Sequence, residues 1–227
     1  MQGSTPVAAS NDLGGTFVTT VSNQVVTVTR QNNGGGFTAG TIDDLTLTNI
    51  KNPIVSGTTG TFQISTTDSN DAVHDSITTG VTTNIISNLL SSVSVSLNDY
   101  KAGATSDVNF TFTVVNPVAS GGKIKFTFPA GFSPPTGTVA SPTITGSSGG
   151  NSITATGSGQ VVTVVLGSGT SLTGNAVGVV IKIPGCTNPS TVQTTNTFQI
   201  STTDSNDAVH DSITTGVTTN ILSNLLS

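Results

Sequence analysis

One 31-residue segment occurs twice in this chain. TFQISTTDSNDAVHDSITTGVTTNIISNLLS begins at Thr61 and returns at Thr197 with a single change, Ile86 against Leu222. The same offset, 136 residues (61 to 197), lays Gln24-Val25-Val26-Thr27-Val28 on Gln160-Val161-Val162-Thr163-Val164. It also lays Asn52-Pro53 on Asn188-Pro189 and Thr5-Pro6 on Ser141-Pro142. One register held without gaps over that length defines a repeating unit, and a repeat limits the possible architectures more than local propensity does. Residues 92–227 form one complete copy. Met1 falls opposite Gly137, so residues 1–91 match only the later part of the unit. The expected organisation is a partial repeat, 1–91, incomplete at its N-terminus, followed by a complete repeat, 92–227.

Within the complete copy, apolar residues alternate with Thr, Ser, Asn and Lys at the period of a half-buried strand. Val93, Val95 and Leu97 share one face, and Val108, Phe110, Phe112 and Val114 share the next. Ile124, Phe126 and Phe128 follow and stop at the turn Pro129-Ala130-Gly131. Further strands are expected near 151–156, 160–166, 177–183, 197–203 and 211–218. Composition agrees. Only 7% of residues are charged, against about a quarter in an ordinary soluble domain. Every acid is Asp, and Val and Thr, which suit a pleated surface, replace the helix formers. Short strands punctuated by Gly, Pro, Asn and Asp predict a two-sheet sandwich. A β-helix would need a short coil period, which is absent. Val108, Phe110, Phe112, Ile124, Phe126, Phe128, Phe198 and Ile200 form the expected core, with Phe62 and Ile64 buried likewise in the first copy.

The segments AGATSDVNFTFT (102–113) and GGKIKFTFPAGF (121–132), with Phe198-Gln199-Ile200-Ser201-Thr202 and Asp211 further on, resemble Ig-like repeats of large secreted and surface proteins of microbes. The resemblance implies tandem Ig-like β-sandwich domains, an extracellular or cell-surface location and a role in a surface structure or appendage. It implies no chemistry.

Chemistry-bearing side chains are few. His74 and His210 are the two histidines, at equivalent positions beside Asp75 and Asp211, and read as exposed loop residues. Gly146-Ser147-Ser148-Gly149-Gly150 fits G-x-S-x-G, but no helix pattern follows it as a nucleophile elbow requires. No enzymatic activity is expected. Asp68, Asn70, Asp71 and Asp75, repeated as Asp204, Asn206, Asp207 and Asp211, supply oxygen ligands of the kind calcium takes. Asp and Asn are also default turn residues, so the set reads as a hairpin turn with calcium as the alternative; no other cofactor is implied. Cys186 aligns with Ile50 and reads as a small buried hydrophobe, leaving no intrachain disulfide. Asn109-Phe110-Thr111 is the one N-glycosylation sequon and puts Asn109 on an outward face.

The net charge of −5 is spread thinly, and six basic residues form no patch for nucleic acid or an anionic membrane. The expected partner is another copy of the chain. Without the strands that open a complete unit, Val26, Val28, Leu45, Leu47, Phe62 and Ile64 would border an unpaired sheet edge. At the other end, Ile221, Leu222, Leu225 and Leu226 form an apolar tail whose twin leads into the next domain. These features predict a structural subunit of an extracellular filament or surface appendage, assembling head-to-tail through β-strand complementation. A cell-surface adhesin or carbohydrate-binding stalk is the alternative, though a single Tyr and no Trp offer little for sugar stacking. Thr-rich strands also suggest ice binding, but no regular T-x-T ladder supports it.

Overall fold

A computed structural model describes residues 5–31 and 44–223, and among these residues every regular element is a β-strand. The chain divides into two compact units, Met1–Pro53 and Ile54–Ser227. The first contains β1 (Val7–Ser10), β2 (Phe17–Ser22), β3 (Val25–Arg30) and β4 (Leu45–Thr48). β2 and β3 make an antiparallel hairpin around Asn23, whose φ of 54° suits the tight turn, and β1 pairs antiparallel with β4. Asn adopts this left-handed backbone more readily than most residues.

The second unit opens with β5 (Gly57–Thr58), β6 (Ile64–Thr67), β7 (Val73–Ile77), β8 (Asn84–Ile85) and β9 (Asn88–Leu89). It continues through β10 (Ser91–Leu97), β11 (Thr105–Thr113), β12 (Lys123–Thr127), β13 (Gly137–Thr138), β14 (Thr143–Thr145) and β15 (Ile153–Ser158). The last strands are β16 (Val161–Leu166), β17 (Val179–Thr187), β18 (Gln193–Thr194), β19 (Gln199–Thr203), β20 (Val209–Ile213) and β21 (Asn220–Ile221). Two of its sheets are large. One runs β10-β11-β17-β14; the other runs β13-β15-β16-β12-β19-β20-β9.

The alternation read from the sequence places the core between these sheets. Along β11 every second residue from Ser106 to Phe112 is buried, and along β12 Ile124 and Phe126 are. Phe110 of the four-stranded sheet stacks on Phe126 of the seven-stranded one, with ring centroids 4.3 Å apart. Beside them Phe128, Phe132 and Phe198 pack on one another at centroid distances of 5.1–6.0 Å, a spacing at which tilted and edge-on pairs attract. All eight core residues expected in the complete copy are buried. β15 approaches the preceding loop so closely that a Cβ at Gly157 would collide with the Pro135 carbonyl oxygen.

Two expectations need correction. Phe62 and Ile64 are 51% and 58% exposed, not buried. The reason lies in the sheet: β19 is flanked by β12 and β20, whereas among the described residues its twin β6 pairs with β7 alone. The strand expected at 211–218 runs from Val209 to Ile213 and gives way to a bend at Gly216, φ 79°.

The boundary between compact units does not coincide with the repeat boundary at 91/92. Ser56 N donates to Val209 O at 2.7 Å, and Leu90 N to Ser212 O at 3.2 Å. Asn88 and Leu89 pair in parallel with Asp211 and Ser212, and Leu90 is 1% exposed in the core. The end of the first copy thus supplies an edge strand to the second.

Candidate assembly site

Both acidic turns have the same local construction. Asp204 Oδ1 accepts hydrogen bonds from Asn206 N at 2.8 Å and Ala208 N at 2.9 Å. Asp68 Oδ1 does the same for Asn70 N and Ala72 N, at 2.8 and 2.9 Å. The backbone N–H groups of Ala72 and Asn70 hold the Asp68 carboxyl below the usual carboxylate range. Asp71 and Asp207 take the left-handed position of each turn, φ 64° and 69°. This is how Asp makes a turn: its carboxylate replaces a backbone acceptor.

The remaining carboxylates diverge. Asp207 lies 2.8 Å from both Lys123 Nζ and Lys125 Nζ, and these two hydrogen-bonded ammonium groups pull its pKa down to about 2. Asp75 accepts from Thr66 Oγ1 at 3.2 Å on an exposed hairpin. Asp211 is fully buried and accepts from Val115 N (3.1 Å), Asn116 N (3.0 Å) and Asn116 Nδ2 (2.9 Å). Asn70 and Asn206 contribute backbone N–H donors to the turns. Among the described residues no three His, Cys, Asp or Glu side chains are grouped to hold a metal ion. Asp68, Asp75, Asp204, Asp207 and Asp211 therefore serve separate local partners, and no grouped set of ligand side chains is formed among the described residues.

The histidines differ from expectation. His210 is buried in β20, with Nδ1 3.1 Å from the Pro117 carbonyl oxygen. His74, its twin, is exposed in β7. Neither lies in a loop, because V-H-D-S-I continues the hairpin strand in both copies. Ser147 Oγ is bonded to Gly150 O at 2.8 Å and Asn151 Oδ1 at 2.7 Å, so it braces its own turn. A cleft of about 360 Å³ is lined by Ile54, Pro117, Val118, Leu172, Asp204 and His210, among others, and is mainly apolar. Cys186 is fully buried; burial, with the nearby Asp107 charge, pushes its thiol up to about 12. Asn109 sits half-buried on the outer face of β11, its Nδ2 3.2 Å from Asn98 Oδ1.

The tail residues fall into two groups. Ile221 is 1% exposed in β21, paired with β18, so it belongs to the core of its own unit rather than to an assembly surface. Leu222 bonds through its backbone to Tyr100 O and Ala102 N, at 2.8 and 2.9 Å, and leaves its side chain 53% exposed. Leu225 and Leu226 lie outside the described residues. Sequence reasoning missed the Asp211–Asn116 contact and the parallel strand β9. The first left only a weak sign, an acid inside an otherwise regular strand; the second was hinted at by the apolar pair Leu89-Leu90 just before β10.

The candidate surface is the β6–β7 hairpin. It forms a two-stranded sheet, and Phe62, Ile64, Val73 and Ile77 around it are 45–62% exposed. Contiguous apolar surface with open strand edges is what one chain offers another. Among the described residues no helix is long and apolar enough to cross a membrane.

The chain matches no family model and no curated protein. Among solved structures it is similar to the crystal structure of BslA, a bacterial hydrophobin, at 17% identity and a TM-score of 0.35, over 59% of this chain and all of that one.

Proposed function

We propose that this chain is a structural, non-catalytic subunit of an extracellular filament or surface appendage. In this reading it is built from tandem Ig-like β-sandwich repeats and joins head-to-tail by β-strand complementation. The observation that carries the proposal is the β6–β7 hairpin, whose sequence is that of a buried hairpin and whose apolar side chains are exposed. Placement outside the cell follows from the low charge and the resemblance to microbial surface repeats. Support for a non-catalytic role comes from Ser147, His210, Asp204, Asp207 and Asp211, each engaged in a turn, a contact across the fold or an ion pair.

A contact between the head of one subunit and the tail of the next is heterologous, so it propagates unless a rotation closes the ring. Purified protein is expected to show concentration-dependent light scattering and linear particles by negative-stain microscopy. A strictly monomeric solution at millimolar concentration would overturn the reading.

A further inference from the structure

The two copies provide a template for the joint itself. In the second copy the open edge of β20 is filled by residues 87–90. Asn88 and Leu89 pair in parallel with Asp211 and Ser212. Ser87 Oγ meets Ser212 Oγ at 2.8 Å, and Leu90 is buried in the core at 1% exposure. The strand that fills this edge comes from the end of the preceding copy. It follows β7 in the chain, yet it pairs with the next hairpin, β20, and not with its own.

The same residues recur at 223–226, where Ser-Asn-Leu-Leu repeats Ser87–Leu90. β7 is the twin of β20, with the same sequence Val-His-Asp-Ser-Ile and the same bulge opposite its hairpin partner. Among the described residues β7 pairs with β6 alone. By the rule the first joint displays, the segment after a hairpin reaches forward to the next hairpin. β7 presents the same strand sequence that accepts Ser87–Leu90 at β20, and a second copy of the chain can bring the matching Ser-Asn-Leu-Leu segment to it.

Resting on the filament reading above, we propose that residues 223–226 of one chain add to β7 of another as a parallel edge strand, with Asn224 opposite Asp75 and Leu225 opposite Ser76. The main-chain bonds supply affinity along an open edge, and alternate side chains fix the register. Ser223 then meets Ser76 as Ser87 meets Ser212, and Leu226 takes the role of Leu90. Residues 223–226 carry no charged side chain, so their docking removes no ionised side chain from water.

The test uses two full-length single-cysteine additions, Ser76→Cys and Ser223→Cys. Cys186 is left in place, since it is fully buried. Mixed under mild oxidation, the two chains are expected to form a disulfide-linked heterodimer, while either alone gives little product. The matching oxygens in the second copy are 2.8 Å apart, so the sulfurs can reach bonding distance with small adjustments. Leu226→Asp is expected to raise the concentration needed for assembly by about tenfold or more, because it buries an unpaired charge; the thermal midpoint of the dilute monomer should not move. Filaments that form without the heterodimer, and that tolerate Leu226→Asp, would overturn this joint while leaving the filament reading intact. Absence of any self-association would overturn both. A double variant, Ser76→Cys with Ser223→Cys, that cross-links only within one chain would also overturn the proposal.

Discussion

The hairpins β6–β7 and β19–β20 share their sequence and differ in surroundings. Each has the same register, the same bulge between its two consecutive threonines and the same Asx-type turn. Phe62 is 51% exposed, and Phe198 is fully buried; Ile64 is 58% exposed, and Ile200 is 1%. Asp75 meets solvent and Thr66, whereas Asp211 is sealed against Val115 and Asn116. The hairpin is thus a local product of its own residues, and its burial is not. Burial of the second hairpin comes from its neighbours: Phe198 packs against Phe110, Phe128 and Phe132, and β19 pairs with β12, whereas among the described residues β6 pairs with β7 alone. The valine-rich hairpins agree. Val21 occupies the position of Gly157 and is half exposed, while Gly157 must stay small beneath Pro135.

Paired truncations give the sharpest way to break this comparison. Phe198→Ala should destabilise the unit containing 54–227 by about 3–5 kcal/mol, the usual cost of emptying an aromatic core site. Phe62→Ala should change it by no more than about 0.5 kcal/mol, as at an ordinary surface position. Urea unfolding at concentrations below assembly reads both. Equal losses would mean that the first hairpin is covered in solution and that its exposure does not describe the monomer.

A smaller contrast is expected at the twin acids. Asp211→Ala removes the acceptor for two backbone donors and one side-chain donor, and leaves those of Asn116 buried. That should cost about 3 kcal/mol, because a buried donor without a partner keeps its full desolvation penalty. Asp75→Ala should stay within about 0.5 kcal/mol. Asp211→Asn separates shape from charge. The amide keeps one acceptor oxygen but turns a donor toward groups that are donors themselves, so its stability should fall between wild type and Asp211→Ala. A neutral Asp211→Asn would show that the carboxylate's charge is dispensable to the bracing of 115–116.

Period-two alternation made the core of the complete copy readable in advance: Val108, Phe110, Phe112, Ile124, Phe126 and Phe128 lie on the inward face that their spacing requires. The repeat made the common register of the hairpins β6–β7 and β19–β20 readable too. Burial at Phe62 and Ile64 was not readable, because alternation reports which face is apolar and not whether anything covers it. His210 and Asp211 were misread for a related reason. Polar residues inside a strand look like loop or turn residues until a partner across the fold, here Pro117 and Asn116, accounts for them. Strand β9 escaped because two residues are too short for any periodic signal. Only the tertiary bonds from Ser212 and the burial of Leu90 define it.

The least expected difference between the two turns is electrostatic. Asp207 contacts Lys123 and Lys125 on β12, whereas Asp71 takes part in no ion pair among the described residues. The pKa of Asp207, drawn down to about 2 from an ordinary 3.8, fixes the sign of the effect. A carboxyl that binds its proton less readily when folded stabilises the fold above its unfolded value, and that contribution is lost as pH falls from about 4 toward 2. Its size is small, because the group is exposed and solvent screens both lysines. Carbon-detected NMR titration of the side chain should give a midpoint near 2 in the wild type. In the Lys123→Ala, Lys125→Ala variant the midpoint should move up toward the ordinary carboxylate value. Salt gives an independent check, since at 1 M the screening length shrinks to about 3 Å, comparable to the contacts themselves. The wild-type midpoint should then rise, and the double variant's should barely move. A midpoint near 2 that persists without the lysines would assign the shift to the turn backbone, which both hairpins share, and the difference between the two turns would vanish.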